Sequence, residues 1–568
     1  MPMKNKVTVI LIITAIVGML TAAGVMLFKK FAPSYTQRPM SEQYKLGENE
    51  ALVVLNGTLS EKKGRIIDGK VYVPVSLATS AMNERIYWDD RESILSLATS
   101  AGLITINASD SMRYMVGKQS EEMGFQLLYE DGDVTYIAMD FVSKYSRINY
   151  EWAENPNRLI IQSDFSQVNV FAALADDVRL RVGPNKKYDY LLELKGGQEV
   201  LVDTDAPPEN EYQKIITLDG IEGYVPVEYV EEKIEKAWTT DKPEDVFPQT
   251  ALGERVCLGW HQMTYAGGTT DMEAKVSQAA CLNVISPTWF ALSDNKGNFS
   301  SLATEEYVTA AHAKGLKVWG LINDFDTKIS LKKILGRTSI RTNLVNNLVS
   351  AAIRYKLDGL NIDFEKITKE TAPAYLEFLR ELVLQCHVNG IVVSVDDYLP
   401  TEGTSYYNWA EQGRVADYVI FMAYDEHYAG SETCGSVSSL PFVNDGVDLG
   451  LKYVPKERTV VALPFYTRRW KTKKDNKVEG KPDVYGMNSA EVMLQNNEAA
   501  KTWDEETGQY YSEFKYQGYT YKIWLEEETS LDKKLETVFG KEVAGAAFWK
   551  LGFERPVTWT TIAKYINK

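Results

Sequence analysis

From Ala251 onward, eight short β-rich runs alternate with amphipathic helical patterns, and this alternation narrows the possible folds more than any other feature of the chain. The runs are Val256–Trp260, Leu282–Ser286, Leu316–Ile322, Leu357–Asp363, Ile391–Asp396, Asp417–Tyr424, Thr459–Phe465 and Ala544–Lys550. The intervening helices read clearly. In Ala372–Asn389, Tyr375, Phe378, Leu379, Leu382, Val383 and Cys386 form one apolar stripe, and Gly390 supplies the stop. Eight such units over about 310 residues predict a (β/α)8 TIM barrel. The last interval is long, and its aromatic stretch Trp470–Leu531 predicts an α+β insertion between strands 7 and 8.

The fourth run, Leu357–Glu365, reads LDGLNIDFE. Asn361, Asp363 and Glu365 alternate with Leu360, Ile362 and Phe364, so a strand turns the polar three to one face and the apolar three to the other. Asp363 and Glu365 then stand about 6.6 Å apart along the backbone. Two acids aimed at one place raise each other's pKa, which suits a proton donor. Asp358 is out of phase with this face and is expected to be a structural partner.

At this point the residues resemble a known family. DGLNIDFE resembles the DGxDxDxE signature of glycoside hydrolase family 18, the chitinase family, on the fourth barrel strand. Met422-Ala-Tyr424-Asp425 resembles its MxYD motif, Leu463-Pro-Phe-Tyr466 its strand-seven end, and Phe548-Trp549-Lys-Leu-Gly552 its strand-eight segment. Trp524–Leu531 is similar to the end of the family's insertion. YDEHYAGS (Tyr424–Ser431), SPTWF (Ser286–Phe290) and NIDFE are most similar to the spore-cortex-lytic N-acetylglucosaminidase branch. The resemblance covers residues 251–568.

It implies a retaining, substrate-assisted glycosidase without a carboxylate nucleophile, in which the substrate's acetamido carbonyl attacks the anomeric carbon. Glu365 would be the general acid, its pKa raised by Asp363. Asp363 would hold the acetamido N–H and Tyr424 its oxygen. Trp549 would floor the sugar, with Asn361, Met422, Asp425 and Tyr466 as further substrate-binding residues. Asn361 stands where the family has its second Asp. It can hydrogen-bond Asp363 but cannot share its charge, which implies a shifted pH optimum. His427 either lines the cleft or packs a loop.

The N-terminal half reads as a series of small modules. Val7–Phe28 is an uncharged apolar run of about 33 Å as a helix, enough for a ~30 Å hydrocarbon core. Its apolar core exceeds that of a cleavable signal. Residues 1–30 are therefore expected to be a transmembrane anchor and 31–50 a tether. Residues 51–163 hold a repeat, in which Tyr72 and Trp88 correspond to Tyr136 and Trp152. This segment resembles the copper amine oxidase N-terminal-like domain, a small α+β repeat domain, although no His or Cys there would hold copper. Residues 166–232 resemble a bacterial Src homology 3 type domain, a small β-barrel domain that binds cell-wall peptide or acts as a spacer. Residues 233–250 read as a linker and 251–568 as the catalytic domain.

The net charge of −16 argues against a nucleic-acid partner. The four cysteines and four histidines show no metal-ligand spacing, so no metal and no cofactor is expected. The leading expectation is a single-pass membrane protein whose catalytic domain lies outside the cytoplasm. It would cleave β-1,4 linkages next to N-acetylglucosamine in peptidoglycan or chitin-like chains. The alternative is a non-hydrolytic cell-wall carbohydrate-binding protein of the same fold, against which the retention of both acids speaks.

Overall fold

The computed structural model describes residues 3–473 and 477–567. It opens with the helix Met3–Phe31. Within that helix the 19-residue stretch Thr8–Met26, mean hydropathy 2.5, is long and apolar enough to cross a membrane.

The chain forms two compact units. The first takes the chain up to Ile86, residues 110–113 and 122–244. In it the leading strands of the two repeat copies, Lys70–Pro74 and Val134–Ala138, pair antiparallel, with Ile137 opposite Val73. Each runs directly into a short helix, Val75–Ala81 or Met139–Tyr145. The region 166–232 belongs to a seven-stranded sheet that buries Leu180, Leu191, Val200, Ile215 and Val225. Its turns at Gly197 and Gly220 have φ of 78° and 86°, a conformation that costs other residues energy.

The second unit contains residues 87–109, 114–121 and everything from Asp245 on. Its centre is a closed barrel of eight parallel strands: β1 (Val256–His261), β2 (Val284–Pro287), β3 (Lys317–Asn323), β4 (Gly359–Asp363), β5 (Val392–Tyr398), β6 (Tyr418–Met422), β7 (Thr459–Pro464) and β8 (Gly545–Trp549). β1 pairs with β8 on one side and β2 on the other, and β2 pairs with β3, which closes the ring. All eight predicted strands are present within a few residues of their expected limits. Apolar residues of alternating parity fill the interior, among them Leu258, Trp319, Leu321, Ile420 and Val460. The opposite parity packs under the helices. The insertion is a five-stranded antiparallel sheet from Tyr466 to Leu525 with the helix Met487–Asn496.

Residues 87–109 give the repeat region an unexpected allocation. The hairpin Ile94–Thr99 and Gly102–Asn107 begins in the first repeat copy, yet it packs on a barrel helix, α2 (Ala372–Val388), and the turn before it reaches a second, α1 (Thr338–Tyr355). Asp89 accepts from the Thr338 N–H at 2.6 Å, and Glu92 from the Ser339 N–H at 2.7 Å. These donors are the orphans of the first turn of α1, whose own N-cap residue, Arg337, makes no side-chain cap. Ser96 donates to Glu377 on α2 at 2.7 Å, fully buried. The region expected as one domain at 51–163 is thus divided between the two units.

Candidate active site

The barrel mouth at the C-terminal ends of the strands opens into a cavity of about 380 Å³. Strand β4 supplies the central residue. Leu360, Ile362 and Phe364 point outward into the helix layer and are buried there, so the parity of the pleat turns Asn361 and Asp363 inward. Glu365 lies just past the strand end and also lines the cavity. Its backbone is clamped by Asp324, which follows β3: the two carboxylate oxygens accept from the N–H groups of Glu365 and Lys366, each at 3.1 Å.

Both acids are held above the ordinary carboxylate range. For Glu365 burial is the main cause, Asp324 and Asp425 add like-charge repulsion, and the hydrogen bond donated by Tyr398 opposes them. Glu365 and Asp363 also repel each other, and Asp324 and Asp425 add to the push on Glu365. For Asp363, burial comes first and Asp396 second, ahead of Glu365 and Asp324. Its Oδ1 is buried without a hydrogen-bond partner.

Asn361 does not occupy the place expected of it. It is fully buried one layer below the cavity and does not line it. Its carbonyl oxygen accepts from Trp260 Nε1 at 2.9 Å and from Ser286 Oγ at 3.1 Å. Its amide nitrogen donates to Ser394 Oγ at 3.0 Å and to Asp396 Oδ1 at 2.7 Å. That uses the full capacity of the side chain and fixes its orientation, with none left for Asp363 or a ligand.

The other expected residues converge. Met422, Tyr424 and Asp425 follow one another out of β6 and all line the cavity. Asp425 adopts a left-handed backbone, φ 56°, which Asp tolerates better than most residues. Its Oδ1 accepts from Tyr466 Oη at 2.5 Å and from Arg468 Nη2 at 2.9 Å. The Tyr424 and Tyr466 rings meet edge to face with centroids 6.2 Å apart. Trp549 ends β8, its ring centroid 5.9 Å from that of Trp260, and lines the cavity floor. The Trp549–Lys550 peptide is cis. His427 packs edge-on against Trp470 and its Nδ1 lies 3.1 Å from the Ser436 carbonyl, so it belongs to the loop. Asp358 accepts from the Val318 N–H at 2.9 Å, and His312 and Lys317 bind its other lone pairs, the structural role expected of it.

Sequence reading passed over Asp324, Asp396, Tyr398 and Arg468. Asp396 and Tyr398 did carry a signal, since Ser394, Asp396 and Tyr398 alternate along β5 as Asn361, Asp363 and Glu365 do along β4. The cavity combines aromatic faces, which suit the apolar side of a sugar ring, with buried carboxyls whose pKa values are raised.

A profile of the glycosyl hydrolases family 18 matches residues 241–554, and one of the copper amine oxidase N-terminal domain matches residues 54–161. An uncharacterized glycosylase of Bacillus subtilis, YvbX, is 24% identical over 55% of this chain and 93% of its own length. The cortical fragment-lytic enzyme of the same organism is 25% identical over 41% of this chain, which spans only 56% of that relative. Among solved structures, the spore cortex-lytic enzyme SleL of Bacillus megaterium aligns over 59% of this chain and 77% of its own, with a TM-score of 0.50 and 17% identity. A chitinase of Chromobacterium violaceum aligns over 55% and 99%, with a TM-score of 0.50 and 19% identity. With the family profile covering more than half of the 568 residues, the chain belongs to the glycosyl hydrolases of family 18.

Proposed function

We propose that the protein is a retaining glycosidase that cleaves β-1,4 linkages next to N-acetylglucosamine in peptidoglycan or chitin-like chains. The observation that carries this reading is the pair of raised-pKa acids, Asp363 and Glu365, at one cavity in the barrel mouth. A raised pKa favours the protonated form of Glu365, the form a general acid needs. Glu365 donates its proton to the glycosidic oxygen. The substrate's acetamido oxygen attacks the anomeric carbon, held by Tyr424, while Asp363 offsets the positive charge that grows on the acetamido group. Glu365 then takes a proton from water, which opens the intermediate from the same face and retains the configuration.

The names of the relatives support glycans of the cell-wall and chitin type as the substrate class. The helix through Thr8–Met26 supports a single-pass anchor that holds the enzyme at the outer face of the membrane. Residues 166–232 would then set its reach or bind wall peptide.

Full-length protein in detergent is to be incubated with peptidoglycan and with N-acetylglucosamine oligomers, and new reducing ends measured. Cleavage is expected, and Glu365→Gln is expected to lower it by about a thousandfold while leaving the fold intact. Binding of either glycan without new reducing ends would overturn the hydrolytic reading in favour of a carbohydrate-binding protein.

A further inference from the structure

Asp396 is a second buried carboxyl at the mouth, 3% exposed, and it lines the same cavity as Asp363. Strands β4 and β5 pair with Asn361 opposite Ser394 and Ile362 opposite Val395, so the next inward-facing residues, Asp363 and Asp396, follow side by side. Neighbouring strands lie about 4.8 Å apart, which is closer than two positions along one strand at ~6.6 Å. The amide of Asn361 fixes Asp396 from below through the 2.7 Å bond to its Oδ1. No ion pair reaches either Asp363 or Asp396 among the described residues. The titratable groups facing Asp396 are Asp363 and Glu365 from β4, Asp397 on its own strand, Tyr424 after β6 and Tyr375 on α2. All are acids or phenols. Two carboxyls so placed, buried and without a cation, cannot both ionise.

We propose that Asp363 and Asp396 form a carboxyl–carboxylate pair sharing one proton, with Asp396 as the positioning residue that takes the proton when Asp363 must carry the charge. When positive charge develops beside Asp363, the O–H bond on Asp363 breaks and one forms on Asp396. The pair keeps its single negative charge, and no outside donor or acceptor is needed. The orphaned Asp363 Oδ1 is the atom such a proton would satisfy. The arrangement would also leave the mouth a second acid despite the amide at position 361. The second acid of the mouth stands on β5, and Asn361 orients it. The inference rests on the glycosidase reading given above, but its test is not confined to activity.

Three full-length forms are compared: wild type, Asp396→Asn, and the exchange Asn361→Asp with Asp396→Asn, which reverses the direction of the connecting hydrogen bond but keeps it. Asp396→Asn is expected to lower kcat by about 10–100-fold with KM little changed, and to shift one limb of the pH–rate profile. The exchange is expected to recover part of kcat. The second readout is stability against pH. A shared proton makes wild type lose stability as pH rises above the range of free carboxyls, so Asp396→Asn should gain Tm relative to wild type between about pH 5 and pH 8. Unchanged kcat and pH profile in Asp396→Asn, or a Tm difference that is flat with pH, would overturn the proposal. If wild type cleaves no glycan, the glycosidase reading falls, and the Tm series still decides whether the proton is shared.

Discussion

Two clusters of buried carboxyls lie in the same barrel and are treated in opposite ways. On the outer wall, Glu377 and Glu381 of α2 and Glu411 are almost wholly inaccessible, and arginines meet them. Arg341 pairs with Glu381 at 2.8 Å, and Arg380 pairs with Glu411 at 2.9 Å and Glu377 at 3.4 Å. At the mouth, Asp363 and Asp396 are as deeply buried, but Asn361 and other carboxyls are their neighbours, and Asp397, next along β5, faces the helix layer beside Gln412, also without a cation among the described residues. The wall keeps its charges by pairing them. The mouth leaves its acids without paired cations, which raises their pKa values and suits them to proton chemistry. Even on the wall, burial pushes Glu381 up to about 7 against the pull of Arg341, which shows how much desolvation one guanidinium leaves uncompensated.

The sharpest way to break the contrast is to remove a wall cation. Arg380→Met fills similar volume but removes the buried cation shared by Glu377 and Glu411. A loss of about 3–5 kcal/mol in urea unfolding is expected, with cleavage by the surviving folded fraction unchanged. A change below ~1 kcal/mol would mean that the wall cluster is no more than a solvated ion pair.

The acids without cations should respond with the opposite sign, and Asp397, behind the mouth in the helix layer, tests this apart from the site. Burial pushes Asp397 up to about 8, with the Gln412 side chain opposing. A group whose folded pKa is raised adds stability that is complete below the unfolded pKa, near 4, and is lost as pH rises toward the folded value. Asp397→Asn removes that loss. Its advantage over wild type should grow across the window from about pH 4 to pH 8, by up to ~1.4 kcal/mol per pH unit. Unfolding curves at several pH values check it, and an advantage that shrinks with pH would place the Asp397 charge in the folded state.

The barrel was legible in the sequence because each strand declares itself locally, by period and by flanking turns. The motif on β4 was legible for the same reason: Asp363 and Glu365 lie two residues apart on one run. What no single run discloses is which side chain lies across from it. Asn361 was expected to bond Asp363, its neighbour along the strand, and instead bonds Trp260, Ser286, Ser394 and Asp396, its neighbours around the ring. The raised pKa of Glu365 was expected from Asp363 alone, and Asp324 and Asp425, which arrive from β3 and β6, add burial-enhanced repulsion that no single run shows. The hairpin 87–109 is the extreme case. Asp89 and Glu92 look like turn residues of a small repeat, and only the fold brings them to the first turn of a helix some 250 positions later.

The smallest effect tests whether the mouth is tuned by neutral donors, as the comparison requires. Glu365 receives a hydrogen bond from the Tyr398 hydroxyl, the largest influence that lowers its pKa, ahead of the charge of Lys366. A bond donated to a carboxylate favours the charged form, so its removal must raise the pKa of the acid further. Tyr398→Phe keeps the ring and removes only the donor. The basic limb of the pH–rate profile, which reports loss of the proton from Glu365, should move upward. Tyr398 is 43% exposed, and water will replace part of what the hydroxyl gave. The displacement is therefore expected to stay below about one pH unit, with kcat at the optimum little changed. A downward movement would show that Tyr398 donates to the protonated acid, and that the mouth is set by burial and its carboxylates alone.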